Sequence, residues 1–171
     1  MLLTVFLAVI FCAAVTLMMI SEVAFIQEKK FFSSAPREAR EVIKERDEEL
    51  FYGARIIGWA LLVLSILMIV GAAVIGVWDG VRSQYSFLEF FIRFVLIFTI
   101  YKVYDMVWFD YFWLLKFKFF QFYYPEVETV FNNRKYGFNL KSQLLKLFIL
   151  FPAISALAAW VCSLFTAGVV G

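Results

Sequence analysis

The sequence predicts an all-α polytopic membrane protein, four transmembrane helices with a cytoplasmic helical segment before the second. Three observations carry that expectation. The 171 residues are 64% hydrophobic and 20% aromatic with a mean hydropathy of +0.84, against roughly 45–50% apolar in a soluble domain. Four apolar stretches approach or exceed the ~20 residues that a membrane helix needs. The cations concentrate in alternate connections, as the positive-inside rule requires.

The first span covers residues 2–21 and its apolar character extends as far as 26. It lacks a basic leader region and a small-x-small cleavage site, so it reads as a retained span rather than a signal peptide. The second span, 56–78, carries no charge before Asp79. The third covers 94–115 and the fourth 144–170. Pro152 lies inside the fourth, where it removes a backbone donor and crowds the carbonyl of Phe148, which predicts a kink. The absence of repeats and low-complexity tracts makes 1–171 one domain.

The connections are 28–55 and 116–141. Lys29, Lys30, Arg37, Arg40, Lys44, Arg46 and Arg55 fall in the first, and Lys116, Lys118, Arg134, Lys135 and Lys141 in the second. Only Arg82 and Arg93 lie between spans two and three. Both basic connections are therefore expected in the cytoplasm and both termini outside, in a plasma (inner) membrane. Ser34-Ala35-Pro36 reads as a helix start. Arg37–Glu41 and Lys44–Glu48 are i,i+4 pairs that would support an exposed helix running into the second span. The second connection must leave helical geometry at Tyr124, before Pro125. Asn132-Asn133 and residues 136–139 have turn chemistry.

Composition excludes several functions. A net charge of +2 without a basic stripe argues against nucleic-acid binding. The chain has no histidine, which removes the commonest general base and metal ligand. Cys12 and Cys162 each sit in an apolar run, where a thiol stays protonated and inert. No metal-ligand spacing and no cofactor motif is present.

The third span holds the chemistry. Lys102, Asp105 and Asp110 interrupt a segment otherwise long and apolar enough to cross, and a charge at bilayer depth costs at least ~2.5 kcal/mol. Two registers are open. If 94–115 spans, Arg93 snorkels outward, Lys116 and Lys118 snorkel inward, and all three charges lie inside. If 87–107 spans, Asp110 reaches the headgroups. Lys102 and Asp105, three apart, can pair on a helix. Positions three and four residues either side of Asp110 hold no cation. On an α-helix Asp110 lies about 140° from Asp105 at 100° per residue. It must then meet water or another helix, or carry a proton. Residues 85–124 hold 19 of the 35 aromatics, suited to a packing face, a lipid-facing wall or a slot for an apolar ligand.

Small residues recur at four-residue spacing. Ser155, Ala159, Ser163 and Ala167 do so in the fourth span, and Ala72, Gly76 and Gly80 in the second. Such ridges allow close helix packing, within the bundle or in a homo-oligomer or a partner membrane protein. The run Tyr104-Asp105-Met106-Val107-Trp108-Phe109-Asp110, with residues 117–126, 136–139, 35–36 and 53–59, resembles uncharacterised small multi-span bacterial membrane proteins. That resemblance implies no activity. The expected function is therefore non-enzymatic, a transport- or channel-type protomer or an accessory membrane subunit. The alternative is an enzyme acting on a lipid or other apolar substrate, with Asp105, Asp110 and Glu126 as its acids.

Overall fold

The computed structural model describes residues 1–34, 37–46, 48–131 and 140–169, and every regular element among them is helical. Helix α1 (Leu2–Ile20) is prolonged by a π turn, Ser21–Ile26, and followed by a 3₁₀ segment, Lys29–Ser34. Helix α2 is Arg37–Val42, α3 is Ala54–Arg82 and α4 is Phe87–Tyr104, the last continued by a π-helix over Asp105–Lys116. Then come α5 (Phe119–Tyr123), a 3₁₀ turn (Pro125–Val127), α6 (Glu128–Phe131) and α7 (Leu140–Leu145). A π turn, Lys146–Leu150, leads into α8 (Phe151–Val169). The turn signals at 132–133 and 136–139, residues 35 and 36 of the expected helix start, and position 170 lie outside the described residues.

Three helices, Leu2–Ile26, Ala54–Arg82 and Lys141–Thr166, are long and apolar enough to cross a membrane. The expected fourth is helical throughout 87–116, but every 18-residue stretch within it carries at least three charged side chains. Its length is sufficient, and its charge sets it apart from the other three.

The kink expected at Pro152 takes the form of a π turn. The amide of Phe151 reaches back five residues to the carbonyl of Lys146, a wider turn immediately before the proline, and the helix continues through it. The helix between the first two apolar helices is shorter than expected. The Ile43 amide still bonds to the Ala39 carbonyl at 3.2 Å, but the Lys44 amide donates to Glu126 Oε1 at 3.2 Å instead of continuing the helical ladder. The Arg37–Glu41 pair forms at 2.9 Å, whereas Lys44 lies past the helix end and makes no ion pair with Glu48. Gly53, at φ +86°, then breaks the chain before α3. Its amide donates to the Glu49 carboxylate at 2.8 Å. Of the two expected outcomes, a helix merging with the second span or bending into it, the chain does not merge but turns at Gly53 into α3.

The chain forms two compact units. One comprises the described parts of Met1–Ala13, Leu67–Tyr104 and Leu140–Gly171. Its core is Phe90, Ala159 and Cys162, with Val77, Val81, Tyr85 and Phe94 packed around them. At its α3–α4 turn, Ser86 and Glu89 make a capping box. The Ser86 amide and hydroxyl both donate to Glu89 Oε2 at 2.8 Å. The other unit comprises Ala14–Ile66 and the described part of Asp105–Asn139. Its core is Val23, Ala39, Ile43, Leu114, Tyr124, Val127 and Phe131. Here Ser21 Oγ donates to the Gly58 carbonyl at 2.6 Å. A Cβ on Gly58 would stand 2.7 Å from Ile26 Cγ1, so a glycine permits this approach of the first helix to α3.

Gly80 faces the fully buried Phe90 ring, which a Cβ would meet at 2.3 Å, while a Cβ on Gly71 meets nothing within 4 Å. Gly71 and Gly80 of α3 should therefore respond oppositely to alanine. Gly71→Ala should stabilise by about 0.5–1 kcal/mol through helix propensity. Gly80→Ala should destabilise by about 1–3 kcal/mol through overpacking. Thermal unfolding in detergent, with Phe90→Leu added to relieve the second, would measure both; equal shifts would refute the contact.

Candidate polar site on the aromatic helix

Several charges within the apolar helices are engaged in a specific way. In the first unit, Arg93 does not snorkel outward as expected. Its side chain is 2% exposed and turns to α3, where it pairs with Asp79 at 2.6 Å. The same guanidinium donates to the Gly76 carbonyl at 2.6 Å and to the Tyr85 hydroxyl at 2.8 Å, and lies 4.4 Å from the centre of the Tyr85 ring. Thr166 Oγ1 donates to the Tyr85 carbonyl at 3.4 Å, tying α8 to the same turn. A guanidinium has five donors in a planar fork and stacks on aromatic faces. Sequence reasoning missed this cluster because Asp79 was read as the edge of the second span; the 14-residue separation across a hairpin was its only signal. Lys102 is buried too, 4% exposed, and has an interaction partner.

The second unit contains Asp105 and Asp110, both half-buried and both with interaction partners. Asp110 is therefore not the isolated charge its α-helical spacing suggested. The decisive difference is the π-helix. In this geometry the amide of residue i+5 bonds to the carbonyl of residue i, as Phe117 does to Phe112 at 2.7 Å. Residues five apart then follow one another along a single face. Burial repeats at that interval: Phe109 and Leu114 are both buried, at 3% and 7% exposure. Asp105 and Asp110 occupy the adjacent column. The two carboxylates placed on different faces by an α-helical reading thus share one face, a turn apart.

Edge-to-face and tilted ring pairs line this segment. Phe109 meets Trp113 at 5.3 Å and Trp113 meets Phe119 at 4.5 Å between ring centres, separations at which aromatic pairs attract. The π-helix ends where Lys118 adopts a left-handed conformation, φ 51°. Gln121 Nε2 then donates to the Leu114 carbonyl at 2.8 Å, which satisfies part of the open helix end.

Glu22 is a further acid that sequence reasoning passed over, because the first span was closed at 21. It is the only charged side chain in residues 2–26. It too lies on a π turn, closed by the Gln27 amide on the Glu22 carbonyl at 2.9 Å, with Gln27 left-handed at φ 56°. Glu22, Asp105, Asp110, Lys116 and Lys146 all fall on π-helical segments, which are rare and concentrate at functional sites.

Glu126, a candidate acid of the enzyme reading, is committed elsewhere. Its Oε2 pairs with Arg46 at 3.0 Å and its Oε1 accepts the Lys44 amide. Arg46 also donates to the Tyr123 carbonyl at 3.1 Å and lies 5.3 Å from the Tyr124 ring centre. Burial, opposed by the Arg46 charge and reinforced by that of Glu126, pushes the Tyr124 phenol upward and keeps it neutral. Two polar cavities of this unit, about 260 and about 650 Å³, are lined by neither Glu126 nor Asp105 nor Asp110. No group of three or more His, Cys, Asp or Glu side chains close enough to hold a metal occurs among the described residues.

The small residues serve packing inside the first unit. Ser155 and Ala159 are fully buried, and Ala159 touches Phe90. Ala72 is 7% exposed, and a Cβ on Gly76 would lie 3.3 Å from Leu7. Ser163 is half-buried and bonds to the Trp160 carbonyl at 2.8 Å. The side chain of Ala167 lies outside the described residues. No protein-family model, no curated protein and no solved structure matches the chain.

Removing Asp79 would strand a buried guanidinium. Asp79→Ala should destabilise toward the ~3–5 kcal/mol of a broken buried pair, reduced because the Asp79 side chain is 36% exposed. The double replacement Arg93→Met with Asp79→Leu should recover most of that loss. A chemical or thermal unfolding cycle would read it; strictly additive losses would contradict the pair.

Proposed function

We propose that the chain is a non-enzymatic integral membrane protein of four spans, a small transport-type protomer that binds its transported proton or cation at Asp105 and Asp110. The observation that carries this reading is the placement of two carboxylates one π turn apart on the same face of an aromatic helix. Two acids so placed can share a proton or a hard cation, since neighbouring like charges are eased by either. Ionisable groups inside spanning segments commonly mark ion pathways.

The fourth crossing is the segment 87–116. Its charges do not prevent it, because Arg93, Lys102, Asp105 and Asp110 all have partners. The basic connections 28–55 and 116–141 then face the cytoplasm, in a plasma (inner) membrane. Glu126, held by Arg46 and the Lys44 amide, is not available as a general acid, which weighs against chemistry on a lipid.

Flux in liposomes tests this directly, with an enclosed pH dye and an imposed proton or sodium gradient. The native protein should dissipate the gradient faster than protein-free liposomes. Asp105→Asn and Asp110→Asn, which keep volume and hydrogen bonding, should return it to the protein-free rate without lowering the unfolding temperature. Native-like flux in Asp110→Asn would remove that residue from the mechanism. No flux in the native protein under either gradient would leave the accessory-subunit role.

A further inference from the structure

The first unit contains a cavity of about 460 Å³ between its helices, within the ~300–1,000 Å³ range of ligand pockets. Its walls are Leu7 and Phe11 from α1, Ala72 and Gly76 from α3, and Phe94 and Phe98 from α4, closed by the apolar side of α8. No wall residue is charged. An apolar cavity of this kind stays dry, so water does not fill it. It offers an ion no ligand, which separates it from any path through Asp105 and Asp110.

We propose that this cavity is a retained lipid site that holds one hydrocarbon chain. Three features select that occupant. Ile154, Leu157 and Val161 line the cavity and are 43%, 64% and 42% exposed. They belong to a helix apolar enough to cross a membrane, so the cavity communicates with the surface that lipid would cover. The second feature is a polar pair next to the wall. Arg93 adjoins the wall residue Phe94 and donates to the carbonyl of the wall residue Gly76, and its partner Asp79 is one-third exposed. An amphiphile has this distribution, with an apolar chain in the cavity and a polar head beside the Asp79–Arg93 pair. The third feature concerns the alternative occupant, a second copy of the chain. Two positions of the small-residue ridge that would seat such a copy, Ser155 and Ala159, are fully buried within the unit.

The test uses the full-length protein in nanodiscs containing a phospholipid with a diazirine on one acyl chain. Light should label peptides carrying Leu7, Phe11, Phe98 and Leu157 above the other apolar faces. Ala158→Phe and Ala73→Trp each fill the cavity from a different wall. Either should cut labelling there by about tenfold or more, as expected when two or more methylenes lose their place. Ala153→Phe, on an exposed position of α8 outside the cavity, should leave it unchanged. Labelling of the native protein spread evenly over all exposed apolar faces would overturn the proposal whether or not the filled variants fold. So would undiminished labelling in either folded variant. Flux through Asp105 and Asp110 is read separately, so failure of one reading does not carry the other with it.

Discussion

The Arg93 guanidinium is held against Asp79, the Gly76 carbonyl and Tyr85, among helices that otherwise bury hydrocarbon. Its desolvation is tolerable only because one carboxylate and two neutral acceptors meet it at once. That requirement dictates much of the first unit. The α3–α4 turn must bring Asp79 to Arg93, Gly80 must lack a side chain so that Phe90 can lie against α3, and α8 must present small residues to Phe90 in return. Satisfying a buried charge and packing a large ring are thus solved by the same hairpin.

In the second unit the same electrostatic constraint acts on the backbone. Glu22, Asp105 and Asp110 all lie where the helix has widened to five-residue hydrogen bonding. A π turn shifts the register of every side chain beyond it. Here the shift brings Asp105 and Asp110 onto one face beside the buried Phe109 and Leu114. The resulting pair of carboxylates belongs to this geometry, not to the residue spacing alone. The proposed cation or proton site rests on this shared face.

Composition, apolar run length and proline position were sufficient to expect an all-helical chain, the three apolar spans and the non-helical Tyr124 before Pro125, because each is a local or additive property. The departures are non-local. Arg93 looked like an interfacial anchor because its partner lies 14 residues back across a turn. Helix α2 ends sooner than its sequence suggests because Glu126, some 80 residues away, draws off both the Lys44 amide and Arg46. The shared face of Asp105 and Asp110 was hidden because no residue preference distinguishes a π-helix from an α-helix, and a 3.6-residue period sets them about 140° apart.

The proposed four-span arrangement requires 87–116 to cross the membrane despite its charges. The number of crossings sets the parity of the ends. Three spans place the two ends of the chain on opposite sides, and four place them on the same side. Reporter fusions at each end would decide it, using a phosphatase active only outside the cytoplasm and a fluorescent protein that matures only inside. Four spans predict phosphatase activity and no fluorescence from both ends. Opposite behaviour of the two ends would contradict the account.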